Sequence, residues 1–218
     1  MGRAWAETWD EAAREVGRPG KWDGRVAYGG GRAGRGAGST EGDDVGDDGT
    51  LLQELAAKQE IGEVLHRYCR GLDRMDREMC ESVWHPGGTA DYGPTMYQGT
   101  GTGFLDWVWV AHEGFARHSH MVSNFLIEVD VAAGTAISES YVEVWLRTRP
   151  QDGVVVDMVG RGRYVDRWSH RDGRWAIEHR HYVDDLQRVH ESRESSVTDG
   201  STATGRRDRT DPSFELFA

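Results

Sequence analysis

Apolar residues recur at steps of three and four over residues 51–72, which predicts an amphipathic helix. Asp76 can cap a second, shorter helix, and the spacing within residues 103–117 predicts a third. Within residues 136–146, small or apolar positions alternate with larger or charged ones, as in a strand with one buried face. Similar patterns predict strands at residues 89–92, 120–130, 135–148, 154–169 and 174–186.

The order of these elements predicts the class of fold. Helices that come before a run of strands joined by short turns, such as the turn at residues 170–173, are typical of an α+β domain. We therefore expect three N-terminal helices packed on one face of a strongly curved antiparallel sheet. Such an arrangement leaves a conical cavity at its open end.

Both ends of the chain differ in composition from this patterned region. Residues 1–50 contain no Leu, Ile or Phe and hold 13 of the 29 glycines, so they cannot bury enough apolar surface to offset the entropy of ordering. We expect a disordered glycine-rich extension there, a folded α+β domain at residues 51–189 and a flexible C-terminal tail at residues 190–218.

Charge and composition narrow the classes of function. A net charge of -11 would repel a nucleic-acid backbone, and no apolar run approaches the ~18 residues that span a membrane. Cys69 and Cys80 are too few for a disulfide framework, and no secretory signal follows the start of the sequence. We therefore expect a cytoplasmic protein that binds neither nucleic acid nor membrane.

Four polar residues offer a constellation for proton transfer: Tyr68, Asp73, His120 and Arg180. A neutral imidazole can remove a proton near physiological pH, and a carboxylate on its far ring nitrogen fixes the tautomer and stabilises the imidazolium. A phenol can hydrogen-bond to a reacting oxygen, and a guanidinium can stabilise negative charge. This chemistry requires no metal or organic cofactor.

Each of the four also has a structural interpretation. Asp73 can cap a turn, His120 can be an ordinary strand histidine, and Tyr68 can be a core residue. Arg180 can pair with Glu178 or Asp166 on a solvated face.

A metal site is a second hypothesis. His118 and His120 share one strand face and His179 and His181 share another, so on neighbouring strands the two pairs could supply ligands to zinc or a similar ion.

Three segments resemble the SnoaL-like branch of the nuclear transport factor 2-like superfamily. They are residues 68–76 (YCRGLDRMD), residues 118–124 (HSHMVSN) and residues 171–180 (RDGRWAIEHR), and the resemblance covers residues 55–187. It implies a cone-shaped α+β barrel and assembly as a homodimer or homotrimer.

The resemblance also implies roles for the four polar residues. The Asp–His dyad of the dehydrochlorinase members falls on Asp73 and His120, and their pocket arginine falls on Arg180. Those members have a lysine where this chain has Tyr68, and a tyrosine there is more similar to the dehydratase members, whose leaving group is an oxygen.

These considerations predict a cofactor-independent lyase acting on a small hydrophobic or aromatic substrate. Dehydration of a hydroxylated ring compound and retro-aldol deformylation of a lignin-derived diarylpropane, as part of aromatic compound catabolism, both fit the residues. A non-catalytic ligand-binding or scaffold module, or a polyketide cyclase or isomerase, is the alternative. We expect the substrate to contact Phe104, Trp107, Val142, Val144, Tyr164 and His181.

Overall fold

The computed structural model describes residues 44–193 and 202–217, with burial described from residue 48 onward. The disorder predicted for residues 1–50 therefore lies outside the described residues, apart from residues 44–50, which begin the first helix. The α-helices are α1 (Asp44–Arg74), α2 (Arg77–Ser82) and α3 (Gly101–Glu113). The strands are β1 (Trp84–Asp91), β2 (Gln98–Thr100), β3 (Phe115–Asp130), β4 (Thr135–Thr148), β5 (Val154–Arg171) and β6 (Arg174–Arg193).

The strands form one six-stranded sheet in the order β2-β1-β6-β5-β4-β3. Consecutive strands from β3 to β6 pair antiparallel, but β1 pairs parallel with β6. The α+β class is as predicted, whereas the expectation of a wholly antiparallel sheet is wrong. Hairpin turns dictate antiparallel pairing only between strands that follow one another, and β1 and β6 are far apart in the chain.

The helices do not all precede the sheet. Among the described residues, α1 and α2 come before β1, and α3 lies between β2 and β3. None of these helices combines the length and the apolar character required to cross a bilayer. The register shifts between Ser123 and Leu126, and again between Arg161 and Gly162, and such bulges bend a strand locally.

The core lies between α1, α3 and one face of the sheet. Ile61, Leu65 and Leu72 of α1 are almost fully buried, as their helical spacing predicts. On β4 the buried positions Ser138, Ser140 and Val142 alternate with more exposed ones. This alternation identifies the inner face of the sheet, toward which the candidate site is built.

The described residues near the end of the chain include regular structure. Strand β6 continues to Arg193, and residues 202–217 end in a short 3-10 helix, η1 (Pro212–Glu215). The Arg70 Nη1 group donates to Ser213 Oγ over 3.0 Å, and Arg74 forms an ion pair with Asp211 at 3.1 Å. Residues 202–217 therefore contact α1.

Candidate active site

The end of α1 presents Asp73 toward β3. The helix stops at Met75, which adopts a left-handed conformation with φ 51°, and Asp76 then caps α2 by accepting from the Met79 N–H. Gly71 permits this tight turn, because a Cβ there would lie 2.5 Å from Cys80 Sγ. The carboxylate of Asp73 thus projects from the last turn of α1, directly before a tight connection to α2.

His120 of β3 binds this carboxylate through two groups. Its ring Nδ1 lies 2.7 Å from Asp73 Oδ1, and its backbone N–H lies 3.0 Å from both carboxylate oxygens. The two side chains are only 4% and 14% exposed. Since an ionised carboxylate only accepts hydrogen bonds, Nδ1 carries the proton in this contact. In the neutral ring, Nε2 is then the nitrogen with the free lone pair.

Tyr68 lies one and a half turns before Asp73 on α1 and is completely buried. Its hydroxyl oxygen is 3.3 Å from that of Tyr92, and either group can donate. Burial and, after it, the neighbouring Tyr92 raise the pKa of Tyr68 well above its ordinary value. Tyr68 is therefore a neutral phenol, which can donate or accept a hydrogen bond.

Arg180 of β6 is also completely buried. Its Nε and Nη2 donate to the two carboxylate oxygens of Asp166 on β5, each over 2.8 Å. Burial alone would lower the pKa of Arg180, but the attraction of Asp166 and its hydrogen bonds raise it well above the ordinary value. The pairing with Asp166 considered from the sequence is present, although it lies in the core rather than on a solvated face.

The Arg180 guanidinium also lies against two phenol rings. It is 3.8 Å from the ring centroid of Tyr164 and 4.6 Å from that of Tyr68, at which range the ring faces attract the cation. Its third nitrogen, Nη1, has no hydrogen-bond partner among the described residues. The four predicted residues are thus arranged as two pairs, His120 with Asp73 and Arg180 with Tyr68.

Five of the six predicted substrate contacts belong to the same apolar cluster as Tyr68. Tyr164, Phe104 and Val142 are buried, and Trp107 and Val144 are partly buried against the cluster. The register of β3 and β4 places Val144 directly beside His120, and Phe104 stacks on Tyr92 at 4.1 Å.

His181 is the exception, because it lies outside this cluster. It follows Arg180 directly in β6, so its side chain points to the opposite face of the sheet. There it is 51% exposed, with Nδ1 3.5 Å from Asp91 Oδ2. The alternation of a strand already forbids two consecutive residues to share one face.

The two histidine pairs of the metal hypothesis do not meet. His118 and His120 lie on β3, and His179 and His181 lie on β6, with β4 and β5 between these strands. His179 instead bonds through Nδ1 to Thr89 Oγ1 at 2.8 Å. Across residues 48–193 and 202–217, no three His, Cys, Asp or Glu side chains are grouped to hold a metal ion.

Sequence reasoning gave no site role to Tyr92, Asp166 or His112, and it treated His118 only as a metal ligand or a peripheral group. The His112 ring of α3 lies 4.5 Å from that of His118 and 5.7 Å from that of His120. Burial lowers the pKa of His112 well below its usual range and that of His118 to about 3, so both rings are neutral at neutral pH. The sequence does indicate that His118 lies near His120, because residues two apart in a strand share one face. It gives no indication that His112 approaches them, since His112 belongs to another element.

The structure defines the class of protein as an α+β domain with a six-stranded mixed sheet. Its inner face is aromatic and includes a buried histidine–carboxylate contact. The particular family is the SnoaL-like domain family, to which the chain belongs, because the family model matches residues 53–181. This family lies within the nuclear transport factor 2-like superfamily.

Solved structures show the same fold. A protein assigned as a scytalone dehydratase from Novosphingobium aromaticivorans is 19% identical with a TM-score of 0.56, over 68% of this chain and 95% of that one. A type 2 hexachlorocyclohexane dehydrochlorinase (LinA) is 17% identical with a TM-score of 0.57, over 69% of this chain and 99% of that one. A protein from Kribbella flavida is 13% identical with a TM-score of 0.53, over 61% and 93% of the two chains. No curated protein sequence matches.

Proposed function

We propose that this protein is a cofactor-independent lyase in which His120 is the general base and Asp73 its orienting carboxylate. The observation that carries the proposal is the 2.7 Å contact between His120 Nδ1 and Asp73 Oδ1, reinforced by the His120 backbone N–H. This contact fixes which ring nitrogen is protonated before any substrate arrives. The dehydratase and the dehydrochlorinase that share the fold are lyases by name, which agrees with this class of reaction.

The proposed proton transfer begins at Nε2 of His120. Nε2 takes a proton from the substrate, and the imidazolium that forms is stabilised by the Asp73 carboxylate. If the proton leaves a carbon, the electron pair of the C–H bond forms a double bond and a neighbouring C–O bond breaks, and the leaving oxygen takes the proton from the imidazolium and departs as water. If the proton leaves a hydroxyl, the oxygen electrons form the carbonyl of formaldehyde as the C–C bond of a terminal hydroxymethyl group breaks. The electron pair of that C–C bond then takes the proton back from the imidazolium and forms a new C–H bond.

In this proposal the second pair of residues acts at a substrate oxygen. The neutral phenol of Tyr68 donates to that oxygen, and Arg180 stabilises the negative charge through Nη1, the nitrogen that Asp166 does not engage. Tyr92, at 3.3 Å from the Tyr68 hydroxyl, is well placed to orient it.

We further propose that the inner face forms a cone-shaped cavity for a small aromatic or hydrophobic substrate. The cluster that contains Tyr68 supplies rings rather than charges, which suits an aryl or alicyclic compound. On the outer face, Met121, Ile137 and Trp145 are about half exposed. We therefore propose a homo-oligomer, a dimer or trimer, that covers this face, and a cytoplasmic location consistent with the free cysteines Cys69 and Cys80.

One observation favours the alternative of a ligand-binding module or a cyclase of the same fold. Arg180 and Asp166 are both 0% exposed and satisfy each other with two hydrogen bonds, as a structural core pair does. If that pair has only a structural role, the aromatic cluster can hold a ligand without eliminating any group from it.

The test is a set of hydroxylated aromatic compounds, steroids and diarylpropanediols assayed without added metal or cofactor for loss of water and for formaldehyde. We expect turnover by the unmodified protein and a loss of about 10²–10⁴-fold in His120→Gln, because the general base is removed. His190→Gln is the matched control, since His190 is an exposed histidine at the outer face of β6. Ligand binding without turnover across the set would support the binding module, and equal turnover by both variants would remove His120 from the chemistry.

A further inference from the structure

Residues 202–217, here called the C-terminal strap, contact the end of α1 on both sides of Asp73. Arg74, the residue after Asp73, forms an ion pair with Asp211, and Arg70, one turn earlier, donates to Ser213 Oγ. The Arg70 guanidinium also lies 5.0 Å from the Phe214 ring centroid and 5.1 Å from that of Phe217. The helix end that carries the orienting carboxylate is therefore attached to the strap.

The same strap also contacts the element that carries His120. Arg207 donates through Nη2 to the carbonyl oxygen of His112 over 2.9 Å and through Nη1 to the carbonyl oxygen of Phe115. His112 lies in the last turn of α3 and Phe115 begins β3, so one guanidinium bridges the junction between them. Carbonyls at a helix C-terminus lack partners within the helix, and a cation there is favourable.

The strap has internal contacts that keep these two attachments together. Asp211 is buried and accepts hydrogen bonds from the backbone N–H groups of Arg206 (2.8 Å) and Ser213 (3.0 Å). These hydrogen bonds, with that of the Ser213 hydroxyl foremost, lower the pKa of Asp211, so the carboxylate is charged at neutral pH. A single residue thus joins the turn that presents Arg207 to the 3-10 helix that contacts Arg70.

Strand β3 needs such an attachment because of its place in the sheet. It is the last strand in the order, so within the described sheet only β4 pairs with it. Beyond that pairing, β3 is held against α1 by the contact between His120 and Asp73, by the ring contact of His66 with Phe125 at 5.5 Å and by apolar packing against the core, and the strap adds an attachment at the start of the strand. A contact of 2.7 Å between groups 47 residues apart tolerates little movement of either element.

We propose that Arg207 is a positioning residue, and that the C-terminal strap holds α1 and β3 in the relative position that brings Asp73 and His120 together. The mechanistic importance of this role rests on the proposed function, but the geometric role does not. The charge of Arg207 has a second consequence at the same place. Burial is the largest cause that lowers the pKa of His118, and the charge of Arg207 is the second largest. The pKa falls to about 3, so the His118 ring stays neutral.

The test follows His120 directly in the full-length protein and needs no substrate. Nitrogen-15 NMR of the histidine rings reports the Nδ1 proton shared with Asp73, and hydrogen exchange reports the His120 backbone amide. In Arg207→Ala we expect the signal of the His120 Nδ1 proton to broaden, or to shift toward the mixture of tautomers that a free histidine has. We also expect exchange of the His120 backbone amide to accelerate about tenfold, which corresponds to the loss of one hydrogen bond of ordinary net strength. Arg207→Lys should fall between, because an ammonium lacks the planar fork that reaches two carbonyls.

Leu216→Ala is the control within the strap, since Leu216 is 84% exposed. It should leave both His120 signals unchanged. A folded Arg207→Ala protein with the tautomer and amide exchange of the unmodified chain would overturn the proposal.

If Arg207→Ala does not fold, the double variant Phe214→Ala/Phe217→Ala loosens the strap at Arg70 without touching the partners of Arg207. It should also accelerate exchange of the His120 backbone amide. Unchanged exchange would contradict the proposed positioning role of the strap. Failure of the lyase proposal appears separately, as His120→Gln without effect on turnover while Arg207→Ala still alters the His120 signals.

Discussion

The two carboxylate pairs on the inner side of the sheet differ in how they are built. Arg180 and Asp166 lie on adjacent strands, are 0% exposed and meet through two parallel hydrogen bonds. His120 and Asp73 lie on a strand and a helix end, are 4% and 14% exposed and meet through one ring nitrogen and one backbone amide.

The Arg180 pair therefore holds a fixed charge, whereas we propose that the His120 pair transfers a proton. The guanidinium of Arg180 stays charged at any working pH, so its pair cannot exchange protons with a substrate. In the proposed mechanism, the imidazole of His120 takes a proton from the substrate while it keeps its contact with Asp73. A buried ion pair is costly to break but contributes little net stability when intact, whereas the histidine pair can be altered at a modest structural cost.

The largest effect that separates the pairs should come from Asp73→Asn. The amide still accepts the His120 backbone N–H, but it no longer stabilises an imidazolium or enforces the Nδ1-protonated ring. We expect turnover of any substrate found to fall by about 10²–10⁴-fold, while the free energy of unfolding changes by about 1 kcal/mol. Steady-state kinetics and urea unfolding measure the two quantities.

Asp157→Asn is the control for Asp73→Asn, because Asp157 pairs with Arg147, whose side chain is 45% exposed. It should leave turnover unchanged. An Asp73→Asn protein with full activity would remove the distinction drawn between the two pairs.

A change at Asp166 should act mainly on the free energy of unfolding, in contrast to Asp73→Asn, which should act mainly on turnover. Asp166→Ala leaves the Arg180 guanidinium buried without its counter-ion, which should cost about 3–5 kcal/mol in the free energy of unfolding. Breaking the Arg147–Asp157 pair with Asp157→Ala should cost less, about 1 kcal/mol, because its arginine is 45% exposed and remains hydrated. Urea unfolding at neutral pH measures both.

A double variant sharpens the assignment of Arg180 and Asp166. Arg180→Met/Asp166→Leu replaces both charges with apolar groups and should recover most of the stability lost in Asp166→Ala. If the double variant is stable yet inactive, Arg180 acts on the substrate; if it is stable and fully active, the pair is purely structural.

The smallest effect expected at neutral pH concerns His118, whose influence on stability grows as the pH falls. Both ring nitrogens of His118 are buried without a hydrogen-bond partner among the described residues, and burial, with Arg207 next, lowers its pKa from 6.5 to about 3. Between these values the unfolded chain binds a proton that the folded chain does not, so stability falls as pH falls. The slope from this one residue approaches about 1.4 kcal/mol per pH unit.

His118→Leu removes the unsatisfied nitrogens and the titration. We expect it to raise the free energy of unfolding by about 1 kcal/mol at pH 7 and to flatten the decline between pH 6 and pH 4. Urea unfolding across this range measures the slope. An unchanged slope would show that His118 titrates normally in the folded protein.

Local pattern predicted most of the elements correctly. The helical spacing over residues 51–72 and the alternation over residues 136–146 correspond to α1 and β4, because both periods reflect which side of an element is buried. The same rule, applied to consecutive residues, places His181 on the face of the sheet opposite to Arg180, as the structure has it.

The pairing of distant elements was beyond local pattern. The parallel contact of β1 with β6 and the position of β3 at the sheet edge depend on how the whole chain is packed. For that reason the two histidine pairs, similar in sequence, lie on strands that have two other strands between them. Residues 202–217 have no strong apolar period, so their contacts with α1 and β3 could not be read from composition.

The sequence by itself determined the α+β class, the main helices and strands, and the residue types able to transfer a proton. Periodicity and side-chain chemistry are properties of short segments, so they can be recognised without knowledge of the fold. Only the tertiary structure decided that Asp73 touches His120, that Arg180 is neutralised by Asp166 and that His112 approaches His118. These contacts join groups far apart in the chain, and the balance of burial and pairing that sets their charge exists only once the elements have packed.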